Sequence, residues 1–106
     1  MVLTNKQKFN KMYKQPLNQA NSKEDISRLT KIPIKFLDEV YDRGLKAYEN
    51  TTKDIKKKVN ENAYAFGRVY AFIVKRKEGG LDFDLDISSD IRKYQKKQRE
   101  KKEKYN

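Results

Sequence analysis

Between Ala63 and Val74 the chain carries a single formal charge, Arg68, although 39% of its 106 residues are charged. Ala63, Phe66, Gly67, Tyr70, Ala71 and Val74 line one helical face of this stretch, and Ala65, Val69, Phe72 and Ile73 line another. A helix that is apolar on nearly all sides belongs inside a fold. The spacing therefore predicts a buried helix over residues 62–77, which the rest of the chain has to cover. Most of the other apolar residues fall between Ile26 and Ile91, enough for one small core.

The charge lies elsewhere. Lys6, Lys8, Lys11 and Lys14 meet no acid and give residues 1–20 a charge of +4. Eight Lys and Arg against Glu100 and Glu103 give residues 91–106 a charge of +6, so of the chain's +11 only +1 is left for residues 21–90. Three parts follow: a basic N-terminal arm over 1–21, a small helical core over 22–90, and a Lys/Arg-rich, helical tail over 91–106. Lysines that neutralise phosphates release condensed counterions, so the ends suit a polyanion and the core does not.

Composition narrows the chemistry. The chain has no cysteine and no histidine, which removes thiolate sites, the commonest general base and the commonest transition-metal ligand. No stretch approaches the roughly 20 apolar residues of a membrane span, and no signal-peptide core follows Met1. A soluble, non-enzymatic protein is expected, with no cofactor, no metal, no small-molecule substrate and no membrane contact.

Punctuation marks divide the core. Ser22-Lys23-Glu24-Asp25 has the pattern of a capping box and opens a short helix, which Lys31-Ile32-Pro33 closes. Pro33 suits the start of a second helix in which Ile34, Leu37, Val40 and Tyr41 recur at helical spacing, with Gly44 as its C-terminal cap. Gly79-Gly80 ends the apolar helix. Leu81, Phe83, Leu85 and Ile87 then alternate with Asp82, Asp84 and Asp86, a period of two that predicts a short extended piece with an exposed acidic face. The fold class is thus mainly α, with a helix-turn-helix-like pair, a buried central helix, a short extended acidic segment and basic tails.

Four constellations bear on function. The helix pair from Ser22 to Gly44 resembles a helix-turn-helix, but its second helix sets Lys35 and Arg43 against Asp38, Glu39 and Asp42. Net acidity opposes entry into a groove flanked by phosphates, so a role as core or protein interface is preferred. Arg68 on the apolar helix needs a counter-ion, and Glu39 or Asp42 on the acidic helix would supply a structural ion pair, with Gly67 allowing close approach. Asp82, Asp84 and Asp86 start like a calcium loop, but Ile87 and Lys93 stand where that loop needs Gly and Glu. Finally, Lys6, Lys8, Lys11 and Lys14 at one end, with Arg92, Lys93, Lys96, Lys97, Arg99, Lys101, Lys102 and Lys104 at the other, are the candidate contacts to nucleic acid or acidic partners. Tyr94 and Tyr105 could stack on bases, although they form no repeated platform.

The run Ile26–Pro33, the run Leu37-Asp38-Glu39-Val40-Tyr41-Asp42-Arg43-Gly44, Ala47 and Ala65–Phe72 together resemble an uncharacterised family of short domains. These are encoded by tailed bacteriophages and large DNA viruses of eukaryotes. The resemblance covers about residues 22–74 and should extend to the acidic segment, and both tails lie outside it. The family's later motif looks like Met-Ala-Arg-Val-Tyr-Ser-Phe, often after a tryptophan; here Phe66-Gly67 and Ala71 replace parts of it, and the chain has no tryptophan. Asp42, Arg43, Gly44 and Arg68 match the family's motifs. The resemblance implies a viral origin and no particular activity.

Compact core and basic ends fit a structural component of a virion or its assembly machinery, located in the particle. The core would dock to other virion proteins while the tails hold nucleic acid or acidic neighbours. In that reading Phe9, Tyr13 or Leu17 is buried against a neighbouring subunit. The alternative is a DNA-binding helix-turn-helix protein, sequence-tolerant or regulatory, in the cytoplasm of the infected cell.

Overall fold

The computed structural model describes residues 2–104, with side chains as far as Lys101, and all its regular structure is helical. The order is α1 (Asn5–Met12), α2 (Lys23–Thr30), α3 (Ile34–Glu49), α4 (Lys53–Lys58), α5 (Glu61–Glu78) and α6 (Leu85–Lys104). Four of the starts are capped by side chains: Thr4, Ser22, Thr52 and Asn60 each accept a backbone N–H from the first helical turn. At Ser22 the capping box forms as its sequence implies, with the Asp25 carboxylate accepting from the Ser22 backbone N–H. Lys31 ends α2 at φ 63°, and Gly79 ends α5 at φ 83°.

α5 is the centre. Val69, Tyr70, Phe72, Ile73 and Val74 are buried against Leu37 and Val40 of α3, Phe9 of α1, Ile26 of α2, and Ile87 and Ile91 of α6. It is not buried on every side, however: Ala63 and Gly67 are exposed. α3 and α1 pack along α5 and leave the strip at Ala63 and Gly67 between them uncovered.

Gly44 caps nothing. α3 runs straight through it to Glu49, and a side chain there would have no room: a Cβ would lie 2.8 Å from the Cα of Ala65. Glycine at this position lets α3 and α5 meet backbone to backbone. Gly67, assigned that task from the sequence, faces open space.

Residues 2–21 pack on the core through α1. Phe9 is fully buried and stacks on Tyr70 and Tyr13, at ring-centroid distances of 5.2 and 4.8 Å. Asn10 is fully buried too, with all four hydrogen-bonding positions filled. It donates to the Leu17 and Gln19 carbonyls and accepts from Gln15 and Asn21. Asn21 also bonds the Tyr70 hydroxyl at 3.2 Å, which ties the segment to α5. Phe9 therefore spends its apolar surface inside its own chain, Tyr13 packs on the same core, and Leu17 remains exposed.

The acidic segment forms no strand. Asp84 adopts φ 52°, its carbonyl accepts the Ser88 N–H, and the chain becomes α6 from Leu85 onward. The alternation breaks as a result: Ile87 is buried, whereas Leu85, two residues earlier, is 58% exposed. Beyond Tyr94, whose ring meets Phe36 edge-on, α6 leaves the core, and the molecule measures 54 × 29 × 24 Å.

Candidate functional site

Arg68 does not pair with Glu39 or Asp42. α3 turns Leu37, Val40 and Gly44 toward α5, so Glu39 and Asp42 project to the opposite side and are exposed. The partner of Arg68 is Asp84, which comes back over α5 where the chain enters α6. Arg68 donates from Nε to Asp84 Oδ2 and from Nη2 to Oδ1, both at 3.0 Å. Arg43 reaches the same carboxylate through Nη1 at 2.9 Å, and holds Asp86 in a fork at 2.8 and 2.6 Å.

The buried member of this knot is the acid. The Asp84 side chain is 2% exposed, against 28% for Arg68 and 38% for Arg43. A buried carboxylate is tolerable only when its oxygens are satisfied, and here two guanidinium groups satisfy them. The bonds to Asp86 and Asp84 push the Arg43 pKa up, and Arg43 in turn holds the Asp86 carboxyl down to about 2. Arg68 also lies over the Phe83 ring, 5.2 Å from its centroid. The knot joins α3, α5 and the start of α6. Asp84 Oδ1 accepts from both arginines and Oδ2 from Arg68 alone. Of the four residues that carry the family resemblance, Arg43 and Arg68 meet on Asp84 and Gly44 permits the approach, while Asp42 stays at the surface.

The basic residues separate into two groups. Lys6 and Lys8 lie half-buried along α1, with Lys11 and Lys14 exposed at its end. Arg92, Lys93, Lys96, Lys97, Arg99 and Lys101 are all exposed on α6, and the side chains of Lys102 and Lys104, like Tyr105, lie outside the described residues. Tyr94 is half-buried against Phe36, with Lys35 above both rings, so its face is committed to the fold. α4 adds Lys53, Lys56, Lys57 and Lys58 at the end of the molecule where α3 passes to α5.

Two features escape the sequence reading. Asp84 was assigned to an exposed acidic face, although an Asp directly before a helix-forming run is also a helix-start signal. Arg76 is the other: Phe72, Ile73, Gly79 and Gly80, its neighbours one turn away on either side, include no acid to pair with it.

Among the described residues no helix is long and apolar enough to cross a membrane. A protein-family model described as a family of unknown function (DUF5824) matches residues 1–92. The matched span includes α1 and ends at Arg92, so the N-terminal segment belongs to the common domain and the projecting half of α6 does not. No curated protein and no solved structure matches the chain.

Proposed function

Because the chain belongs to that family of unknown function, its role has to be argued from its own surface, and we propose that it is a non-catalytic nucleic-acid-binding module that grips phosphate backbone without reading sequence. One observation carries this reading: α6 is a single helix whose second half leaves the core and presents Lys96, Lys97, Arg99 and Lys101 to solvent. A rigid rod of cations suits the phosphate backbone and has no means of choosing among bases. The α2–α3 pair is a poor base reader, since α3 shows Glu39 and Asp42 to the outside.

The test is fluorescence anisotropy on duplexes of unrelated sequence over a range of salt. All should bind alike, with affinity falling by a log–log slope of about −0.9 per phosphate neutralised. The quadruple variant Lys96→Gln, Lys97→Gln, Arg99→Gln, Lys101→Gln should flatten that slope. A sharp preference for one duplex that survives the four substitutions would restore the regulator reading.

A second reading, a virion or assembly component from a bacteriophage or large DNA virus, draws on the resemblance and on one surface feature. α5 leaves Ala63 and Gly67 uncovered, with clefts of about 320 and 450 Å³ on either side, a place for a protein neighbour. There the nucleic acid is the packaged genome. Mass spectrometry of purified particles decides it, and recovery of the protein only from the infected-cell cytosol counts against it.

A further inference from the structure

We propose that the cleft enclosed by α1, α2, α5 and α6 is a phosphate-binding site, with the phosphate group seated between Arg76 and Arg92. The cleft holds about 350 Å³ and is lined by Tyr13, Thr30, Ile73, Arg76, Lys77 and Arg92 among others. Ile73 is buried and Arg76 half-buried, so Arg76 stands at the edge of the core, with Lys77 and Arg92 exposed at the rim of the cleft.

Arg76 carries the argument. Its Nε donates to the hydroxyl of Ser88 at 3.0 Å, and Ser88 is buried, so the guanidinium is fixed in direction. Among the described residues its terminal nitrogens have no protein acceptor and no carboxylate within 4.0 Å. The other partly buried arginines, Arg43 and Arg68, both end on Asp84. Burial, and then the nearby charge of Arg92, push the Arg76 pKa down. Lys77 adds a third cation, with its ammonium 5.0 Å from the Tyr13 ring centroid. The last turn of α5 tolerates these cations because the helix dipole is negative there. The helix supplies no acceptor oxygen for the fork that Arg76 turns toward the cleft.

Such a fork fits two oxygens of a tetrahedral anion, and a second guanidinium can take the remaining oxygens. Up to three positive charges in one cleft match the −1 to −2 of a phosphate better than the single charge of a carboxylate. Arg92, Lys96 and Arg99 then follow at helical spacing of four and three along one face of α6, over about 10 Å. A strand whose phosphate sits in the cleft would meet them next. The site does not depend on the nucleic-acid reading, because a free phosphate meets the same groups.

The test is a titration of the full ¹⁵N-labelled chain with inorganic phosphate against sodium chloride at matched ionic strength, following the Arg76 Nε–H signal and the backbone amides of Lys77 and residue 92, which every variant retains. Phosphate should give a saturable shift that chloride does not. Arg76→Gln and Arg92→Gln should each weaken it at least tenfold, and Lys53→Gln with Lys57→Gln, exposed on α4, should leave it unchanged. Arg92 is exposed, so Arg92→Gln decides the matter if Arg76→Gln impairs folding. Shifts that chloride reproduces, or saturation that survives Arg92→Gln, overturn the site. A short mixed-sequence oligodeoxynucleotide then identifies the source. Competition with phosphate at Arg76 assigns the site to a nucleic-acid backbone. Saturation by phosphate that the oligonucleotide leaves untouched assigns it to a free phosphate ligand, and the proposed function fails separately if the oligonucleotide does not bind at all.

Discussion

α5 holds two arginines two turns apart, Arg68 and Arg76, and each meets a second arginine from a neighbouring helix. At one end Arg68 and Arg43 close on Asp84, with Asp86 completing the set. At the other, Arg76 and Arg92 share a cleft in which no described carboxylate lies within 4.0 Å of either. The first pair trades desolvation against charge-assisted hydrogen bonds and joins three helices. The second bears a like-charge interaction and a single bond to a neutral hydroxyl. Equal chemistry in unequal surroundings separates an arginine that holds a fold from one available to a ligand.

The largest effect should come from the shared carboxylate. Asp84→Ala leaves Arg43 and Arg68 facing each other without their common anion and frees the start of α6. A loss of about 3 kcal/mol is expected, toward the low end for broken buried pairs because both arginines reach water. In a domain of this size that lowers the thermal midpoint by roughly 12 °C or more. An unchanged midpoint would show that the knot is incidental to stability. Arg68→Met should cost less, about 2 kcal/mol, since Arg43 still serves Asp84.

The two glycines sharpen the contrast. Gly44→Ala places a Cβ 2.8 Å from the Ala65 backbone and pushes α3, and with it Arg43, away from α5. Overpacking of about 1–3 kcal/mol is offset by about 1 kcal/mol of helix propensity gained, for a net loss of up to about 2 kcal/mol. In an Asp84→Ala background the loss should shrink, because Arg43 then has less to lose; strict additivity in the double-mutant cycle would uncouple the approach from the knot. Gly67→Ala meets nothing within 4 Å and should stabilise by about 0.5–1 kcal/mol.

At the unpaired end, Arg76→Gln should change stability by no more than about 1 kcal/mol in either direction. It gives up a bond to Ser88 but also relieves the repulsion from Arg92. A loss as large as that of Arg68→Met would mark Arg76 as another structural arginine, and the comparison would collapse.

How much of this was legible in the sequence follows from the range of each signal. Caps and periodicity act over a few residues, so the capping box at Ser22, the stop at Gly79 and the apolar helix could be placed. Arg68 could be singled out as needing a counter-ion, but which acid supplies it depends on how α3 rotates and where the chain returns, and spacing does not reveal that. Gly44 and Gly67 look alike on paper; only the distance between α3 and α5 tells them apart. Asn10, Gln15 and Asn21 carry no local signal, because a buried amide is recognised by its partners, and those come from a turn the composition does not announce. The alternation from Leu81 to Ile87 fits a strand as well as a helix start, and the left-handed turn at Asp84 settles it for the helix.

The smallest effect concerns acid, and only the paired end should show it. Asp86 is held at about 2 by its bonds to Arg43, against 3.8 ordinarily. Its folded pKa lies below its unfolded one, so at pH 3 the unfolded chain binds more protons and stability rises with pH. Its contribution is complete above about pH 4 and disappears as the pH falls through about 2. Melting curves for the parent chain and Asp86→Asn should therefore differ by a constant amount above pH 4 and converge toward pH 2. The same pair of curves for Arg76→Gln should stay parallel throughout, because no carboxylate faces that guanidinium among the described residues. A gap between Asp86→Asn and the parent that persists unchanged to pH 2 would mean that Arg43 does not hold Asp86 in solution, and would leave Asp84 as the only acid in the knot.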